Sequence, residues 1–142
     1  MSYKGKMAMQ YNQEPYEKLQ FYKNICFIRQ KVYKITEPFC ANHIKVVGQA
    51  RDAARSAKQN IREGYKKDSI GTFINHLKIS KGSLDELLGD LQDFYEDKLI
   101  IREDFVELES LIQRTDYMID KYIDSIYQLS KDGKWKSRWK KS

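Results

Sequence analysis

The sequence predicts an all-α protein, an antiparallel up-down-up-down four-helix bundle, on three observations. Apolar residues recur at alternating steps of four and three over long stretches, the spacing that keeps one face of a helix in a core. Only two prolines and seven glycines punctuate 142 residues, too few for a turn-rich β fold. The links between periodic stretches are short, which makes consecutive helices antiparallel neighbours.

Each helix has its own justification. In the first, Phe21, Ile25, Ile28, Val32 and Ile35 form the stripe, widened by Leu19, Tyr22, Cys26 and Tyr33. Pro38 disfavours helix at Glu37, so the stop falls near Thr36. The second covers 44–65. Its alanine-rich centre places Ala50, Ala53, Ala57, Ile61 and Gly64 on one small apolar face that admits close approach of a partner helix. Gly64 is expected to let this helix end in a tight bend. Ser69 is the expected N-cap of the third helix, with Thr72 where a capping box has Glu. From there to about residue 97, Phe73, Leu77, Ser80, Leu84, Leu87, Leu91 and Phe94 hold the rhythm. Gly82 and Gly89 carry a helix-propensity cost of ~1 kcal/mol each, which suggests close helix contacts there. The link at 98–102 has no good breaker. In the fourth helix Phe105, Leu108, Ile112, Thr115, Ile119, Tyr122, Ile126 and Leu129 keep a heptad rhythm until Asp132-Gly133. The expected organisation is a flexible N-terminus over 1–14, a bundle domain over 15–130 and a basic tail over 131–142.

Charge is segregated along the chain. The net charge is +6, yet residues 68–130 carry six basic and fourteen acidic side chains. On the second helix Arg51, Arg55, Lys58, Arg62 and Lys66 fall within an arc of roughly 80°, opposite the alanine face, with Lys67 just beyond. Like charges at i and i+4 repel, so such a row calls for a counter-charge. Phosphates would supply one; so would the acidic third and fourth helices of a neighbouring subunit. A solvated face is the remaining reading. The tail adds Lys134, Trp135, Arg138 and Trp139, cations that can hold phosphates and indoles that can stack on bases. A disordered solubilising tail has the same composition.

Other chemistry is thinly represented. His43 and His76 lie in different elements, and two cysteines and two histidines at unrelated spacings form no zinc motif. His76 reads as a surface or boundary residue. Asn60 borders the apolar face, where its expected task is to fix helix register or cap a neighbouring backbone. Glu63 has no partner acid, base or metal ligand for catalysis. Glu86, Asp90, Asp93 and Asp97 share one side of the third helix and read as a docking surface for basic faces. No phosphate-cradling glycine loop and no Ser/His/Asp set is visible. The expectation is therefore no enzyme, no cofactor and no metal. With no apolar run near ~18 residues and no apolar block after the N-terminus, a cytoplasmic protein with reduced Cys26 and Cys40 is expected, without membrane partners.

Gln49, Arg51, Ala53-Ala54, Ser56, Asn60-Ile61 and Glu63-Gly64, followed by Ser69, Phe73, Leu77, Ile79, Gly82-Ser83 and Glu86-Leu87, resemble the signature of the 23S rRNA intervening-sequence protein family. The matched core runs from Gln49 to Leu87, and the helical layout extends it over 16–130. The resemblance implies a bacterial four-helix bundle that assembles as a homopentamer, without enzymatic activity. It also implies distant kinship to the accessory protein of diversity-generating retroelements, which binds nucleic acid and a reverse transcriptase. Two functions follow as expectations. One is nucleic-acid binding, with RNA as the expected ligand, through Arg51, Arg55, Lys58, Arg62, Lys66, Lys67 and the tail. The other is a protein-interaction scaffold whose basic face meets acidic surfaces of neighbouring subunits or of a reverse transcriptase.

Overall fold

A computed structural model describes residues 15–131 of the chain. It contains four helices: α1 (Gln20–Thr36), α2 (Ile44–Tyr65), α3 (Ile70–Glu96) and α4 (Arg102–Lys131). Short 3-10 turns at Pro15–Lys18 and Glu37–Phe39 flank α1. The described residues include no strand. Each helix packs on its sequence neighbours, and α1 closes the ring on α4. The expected N-terminus over 1–14 and the tail from residue 132 lie outside the described residues.

The predicted stripes form the core. Ile25, Ile28 and Val32 of α1, Val47, Ala50, Ala54, Ala57 and Ile61 of α2, and Phe73, Leu77, Leu84, Leu87 and Leu91 of α3 are all fully buried. Leu108, Ile112, Ile119 and Ile126 complete it from α4, while Leu129 emerges into solvent. Helix ends follow local chemistry. Ser69 Oγ accepts the Thr72 amide at 3.1 Å, capping α3, and its own hydroxyl donates to Thr72 Oγ1 at 2.8 Å.

The link after α3 does contain a stop. Lys98 adopts a left-handed conformation, φ 63°. Its amide donates to Tyr95 O at 3.0 Å, and the Leu99 amide donates to Phe94 O at 2.8 Å. That pair of bonds is a Schellman closure, normally built with glycine at the left-handed position.

Polar pairs pin each seam of the ring. Across α1 and α4, Asn24 Nδ2 donates to Thr115 Oγ1 at 3.2 Å, and Lys31 pairs with Asp104 and Glu107. Across α2 and α3 runs a ladder of small and polar groups. Ser56 and Ser83 share a hydrogen bond at 2.8 Å, Ser80 Oγ donates to Ala57 O at 2.7 Å, and Asn60 Oδ1 meets His76 Nδ1 at 2.9 Å. Along this ladder residue numbers rise on α2 as they fall on α3, so the two helices run antiparallel. Lys81 and Asp120 bridge α3 and α4 at 2.6 Å. Asn60 thus ties its register to α3 by a side chain, and its amide donates to Ser56 O within α2.

Two glycine expectations are corrected. Gly64, the penultimate residue of α2, accepts the Lys67 amide in the turn that ends the helix, but what its missing side chain admits is α3: a Cβ there would lie 2.4 Å from His76 Cβ. Gly82 and Gly89, expected to be close contacts, are exposed, with nothing within 4 Å of an added Cβ. Both stand two residues from core positions on either side, and two helical steps rotate a residue by about 200°, away from the core.

Candidate nucleic-acid interface

The ring order places the two basic helices side by side and the two acidic helices side by side. α1 and α2 together carry nine basic and two acidic side chains; α3 and α4 carry six basic and twelve acidic. The bundle is therefore basic on one half and acidic on the other. The expected basic site lies on α2 and the tail, with no residue of α1 named in it. On α1, Lys23, Arg29, Lys31 and Lys34 occur with no acidic residue between Gln20 and Thr36. That absence was the available signal.

The predicted row divides into an anchored member and freer ones. Arg51 is held against the end of α1. Its Nε donates to Thr36 Oγ1 at 3.1 Å, and one terminal nitrogen donates to Tyr33 O and Glu37 Oε1 at 3.3 and 3.4 Å. Thr36 is oriented for this by donating to Val32 O at 2.7 Å. The Arg51 guanidinium also lies 4.2 Å from the Tyr33 ring centre, and Arg29 lies 5.3 Å from the same centre. Only 17% of the Arg51 side chain is accessible. Its first duty is to clamp α1 to α2.

Arg55 and Arg62 are exposed, Lys58 is half-buried, and Lys66 and Lys67 stand exposed just past the end of α2. Among the described residues, Arg55, Lys58 and Arg62 have no acidic partner within ion-pairing distance. Arg62 runs close to the seam with α1, beside Tyr22. Burial, with Cys26 and Tyr16 nearby, pushes the Tyr22 hydroxyl well above the ordinary tyrosine range, while Arg62 pulls the other way. The tail residues Lys134, Trp135, Arg138 and Trp139 lie outside the described residues.

Between α2 and α3 opens an acidic groove of about 550 Å³, lined by Gln49, Asp52, Ser56, Glu86 and Asp90. A second hollow of about 280 Å³ continues past Asp93 and Asp97 to His43. Partial burial, with Asp93 and Glu86 close by, raises the Asp90 carboxyl above its usual range. The acidic face anticipated on α3 thus lines a groove shared with α2. Among the described residues no group of His, Cys, Asp and Glu is arranged to hold a metal ion. No described helix is long and apolar enough to cross a membrane.

Comparison with known proteins agrees with this architecture. The profile of the 23S rRNA-intervening sequence protein family matches residues 17–121. A crystal structure of a protein with unknown function from the S23 ribosomal protein family of Bacteroides thetaiotaomicron VPI-5482 has the same fold, with a TM-score of 0.67 at 17% identity. The match covers 72% of this chain and 97% of that one. No match was found among curated proteins. The matched span takes in α1, α2, α3 and the first two-thirds of α4, and on that evidence the chain belongs to the 23S rRNA-intervening sequence protein family.

Proposed function

We propose that this is a non-enzymatic bundle protein that holds nucleic acid, RNA foremost, on the basic half formed by α1 and α2. The observation that carries the reading is the set Arg55, Lys58 and Arg62: three cations on one helix face with no acidic partner among the described residues. Repulsion within the row disfavours leaving it uncompensated, and a phosphate backbone at a few ångströms relieves it while releasing condensed counterions. Lys66 and Lys67 extend the track beyond α2. Arg29 and Tyr33 widen it on α1. Lys134, Trp135, Arg138 and Trp139 of the tail add cations and stacking surfaces. Arg51 contributes by fixing the angle between α1 and α2 rather than as a primary phosphate contact.

The test is charge reversal at Arg55 and Arg62, measured with a fluorescein-labelled RNA hairpin at low salt. Both positions are exposed, so the double variant keeps its helix content by circular dichroism. A loss of binding of tenfold or more, at about 1.4 kcal/mol per decade, is the expected result. Unchanged affinity contradicts the reading.

One observation favours a second reading. The acidic groove between α2 and α3 is a counter-charge for the basic half of another copy, and a contact between two unlike faces closes into a ring when its rotation permits. A homopentamer is one such ring, and a reverse transcriptase with a basic surface is an alternative occupant of the groove. Light scattering of nuclease-treated protein separates the readings: dissociation at high salt supports the scaffold.

A further inference from the structure

A groove of about 510 Å³ lies between α3 and α4, at the end of the bundle where α4 finishes. Ile70, Ile74, Ile123 and Tyr127 form its walls, with Lys78 and Asp124 at its edges. Its size falls within the ~300–1,000 Å³ of clefts that take small organic groups. Ser130 borders it and Lys131 ends α4, so the described chain ends at the groove's mouth, eleven residues before Ser142. Lys131 Nζ lies 5.6 Å from the centre of the Tyr127 ring.

We propose that, in the protein free of nucleic acid, Trp135 of the chain's own C-terminal segment fills this groove. Three features select that occupant. The first is reach: from Lys131 to Trp135 the chain can span up to ~14 Å, and Gly133 permits the left-handed turn that sends a chain back along the helix it has left. The second is charge. Residues 132–142 carry five basic and one acidic side chain, and the two helices forming the groove carry twelve acidic and six basic. Exposed pairs of this kind add little affinity, but they orient the segment toward α3 and α4. The third is the chemistry of indole: an apolar body for the isoleucine walls, and an N–H that Asp124 can accept. Tethering sets an effective concentration in the millimolar range, so a weak contact is enough to populate the docked state. The inference does not depend on the nucleic-acid reading.

The chain's two tryptophans make the test direct. Trp139→Phe leaves Trp135 as the sole emitter, and Trp135→Phe leaves Trp139. The Trp135 emission is expected to be blue-shifted and several-fold less quenched by acrylamide than the Trp139 emission. That comparison leaves the groove intact. Adding Tyr127→Ala and Asp124→Lys to Trp139→Phe, with native helix content confirmed by circular dichroism, should abolish the shift. Emission from Trp135 typical of exposed indole overturns the proposal, as does a shift that survives the groove substitutions. A shift lost on dilution also overturns it, because the occupant is then a second copy.

Discussion

The same substitution, glycine to alanine, should have opposite signs at Gly64 and Gly82. At Gly82 an added methyl meets nothing within 4 Å, so only backbone terms act. Alanine in a helix interior is favoured over glycine by roughly 0.5–1 kcal/mol. At Gly64 the same gain is overwhelmed. The new Cβ would lie 2.4 Å from His76 Cβ, 3.0 Å from His76 Cγ and 3.2 Å from Phe73 Cδ1. The Cβ of His76 is fixed to its backbone and cannot swing aside, so α2 and α3 must separate by about 1 Å to restore ordinary contact. That movement stretches the 2.9 Å bond between Asn60 and His76 and loosens Phe73, which is fully buried. Overpacking of this sort costs about 1–3 kcal/mol, leaving a net loss of roughly 0.5–2 kcal/mol after the propensity gain. Urea titration followed by circular dichroism reads both variants, with an unchanged m-value establishing that stability alone has moved. Gly82→Ala should raise the midpoint and Gly64→Ala should lower it. A Gly64→Ala protein as stable as the parent would refute the close-contact argument. A destabilised Gly82→Ala protein would mean that the outer face of α3 is covered.

Three further outcomes follow from single contacts. Lys98→Gly should stabilise the chain by up to ~1 kcal/mol, because it relieves a left-handed non-glycine residue at the α3 stop; a lowered melting temperature would contradict this. Arg51→Ala should cost roughly 1–2 kcal/mol through its bonds to α1 and its stacking on Tyr33, whereas Arg55→Ala should stay within about 0.5 kcal/mol of the parent; equal losses in urea titration would remove the clamp assignment. Asp116 has a buried Oδ1 with no hydrogen-bond partner among the described residues, and burial, then Asp85, then Asp120 push its carboxyl above the usual range against the pull of Lys81. A raised folded-state value means that the folded protein binds the proton more tightly, so ionised Asp116 lowers stability at neutral pH and the loss is recovered on acidification. Asp116→Asn should therefore be more stable than the parent at pH 7, with the difference shrinking toward pH 4; a difference that grows on acidification would reverse the assignment.

Much of this fold was readable from residue spacing, because a helix must return to the core every three or four positions. The stripes on α1, α2 and α3 predict the buried residues apart from Ile35, which is half-buried, and Tyr33, which is exposed under Arg51, and Pro38 and Ser69 mark boundaries by known chemistry. What escaped depended on relations between helices. Propensity flags a glycine but does not say what its missing methyl makes room for. The periodicity held that answer: Gly64 follows Ile61 by three residues onto the core face, while Gly82 and Gly89 fall between core positions. The turn at Lys98 was hidden because a lysine occupies a position that usually signals itself as glycine. Arg51 looked like one of five equivalent cations, and only the approach of the α1 C-terminus separates it from Arg55. The acidic residues of α3 were legible as a face, but the groove needs the wall that Gln49, Asp52 and Ser56 supply from α2.

The central claim, that the basic half of the bundle takes a phosphate backbone, is tested most directly by the salt dependence of RNA binding. The logarithm of the binding constant for the labelled hairpin should fall linearly with the logarithm of salt concentration, with a slope of about 0.7–0.9 per phosphate neutralised. Charge neutralisation at Arg55, Lys58 and Arg62 should flatten that slope by roughly two to three contacts' worth. Binding that is absent at low salt, or a slope that these substitutions leave unchanged, would contradict the account.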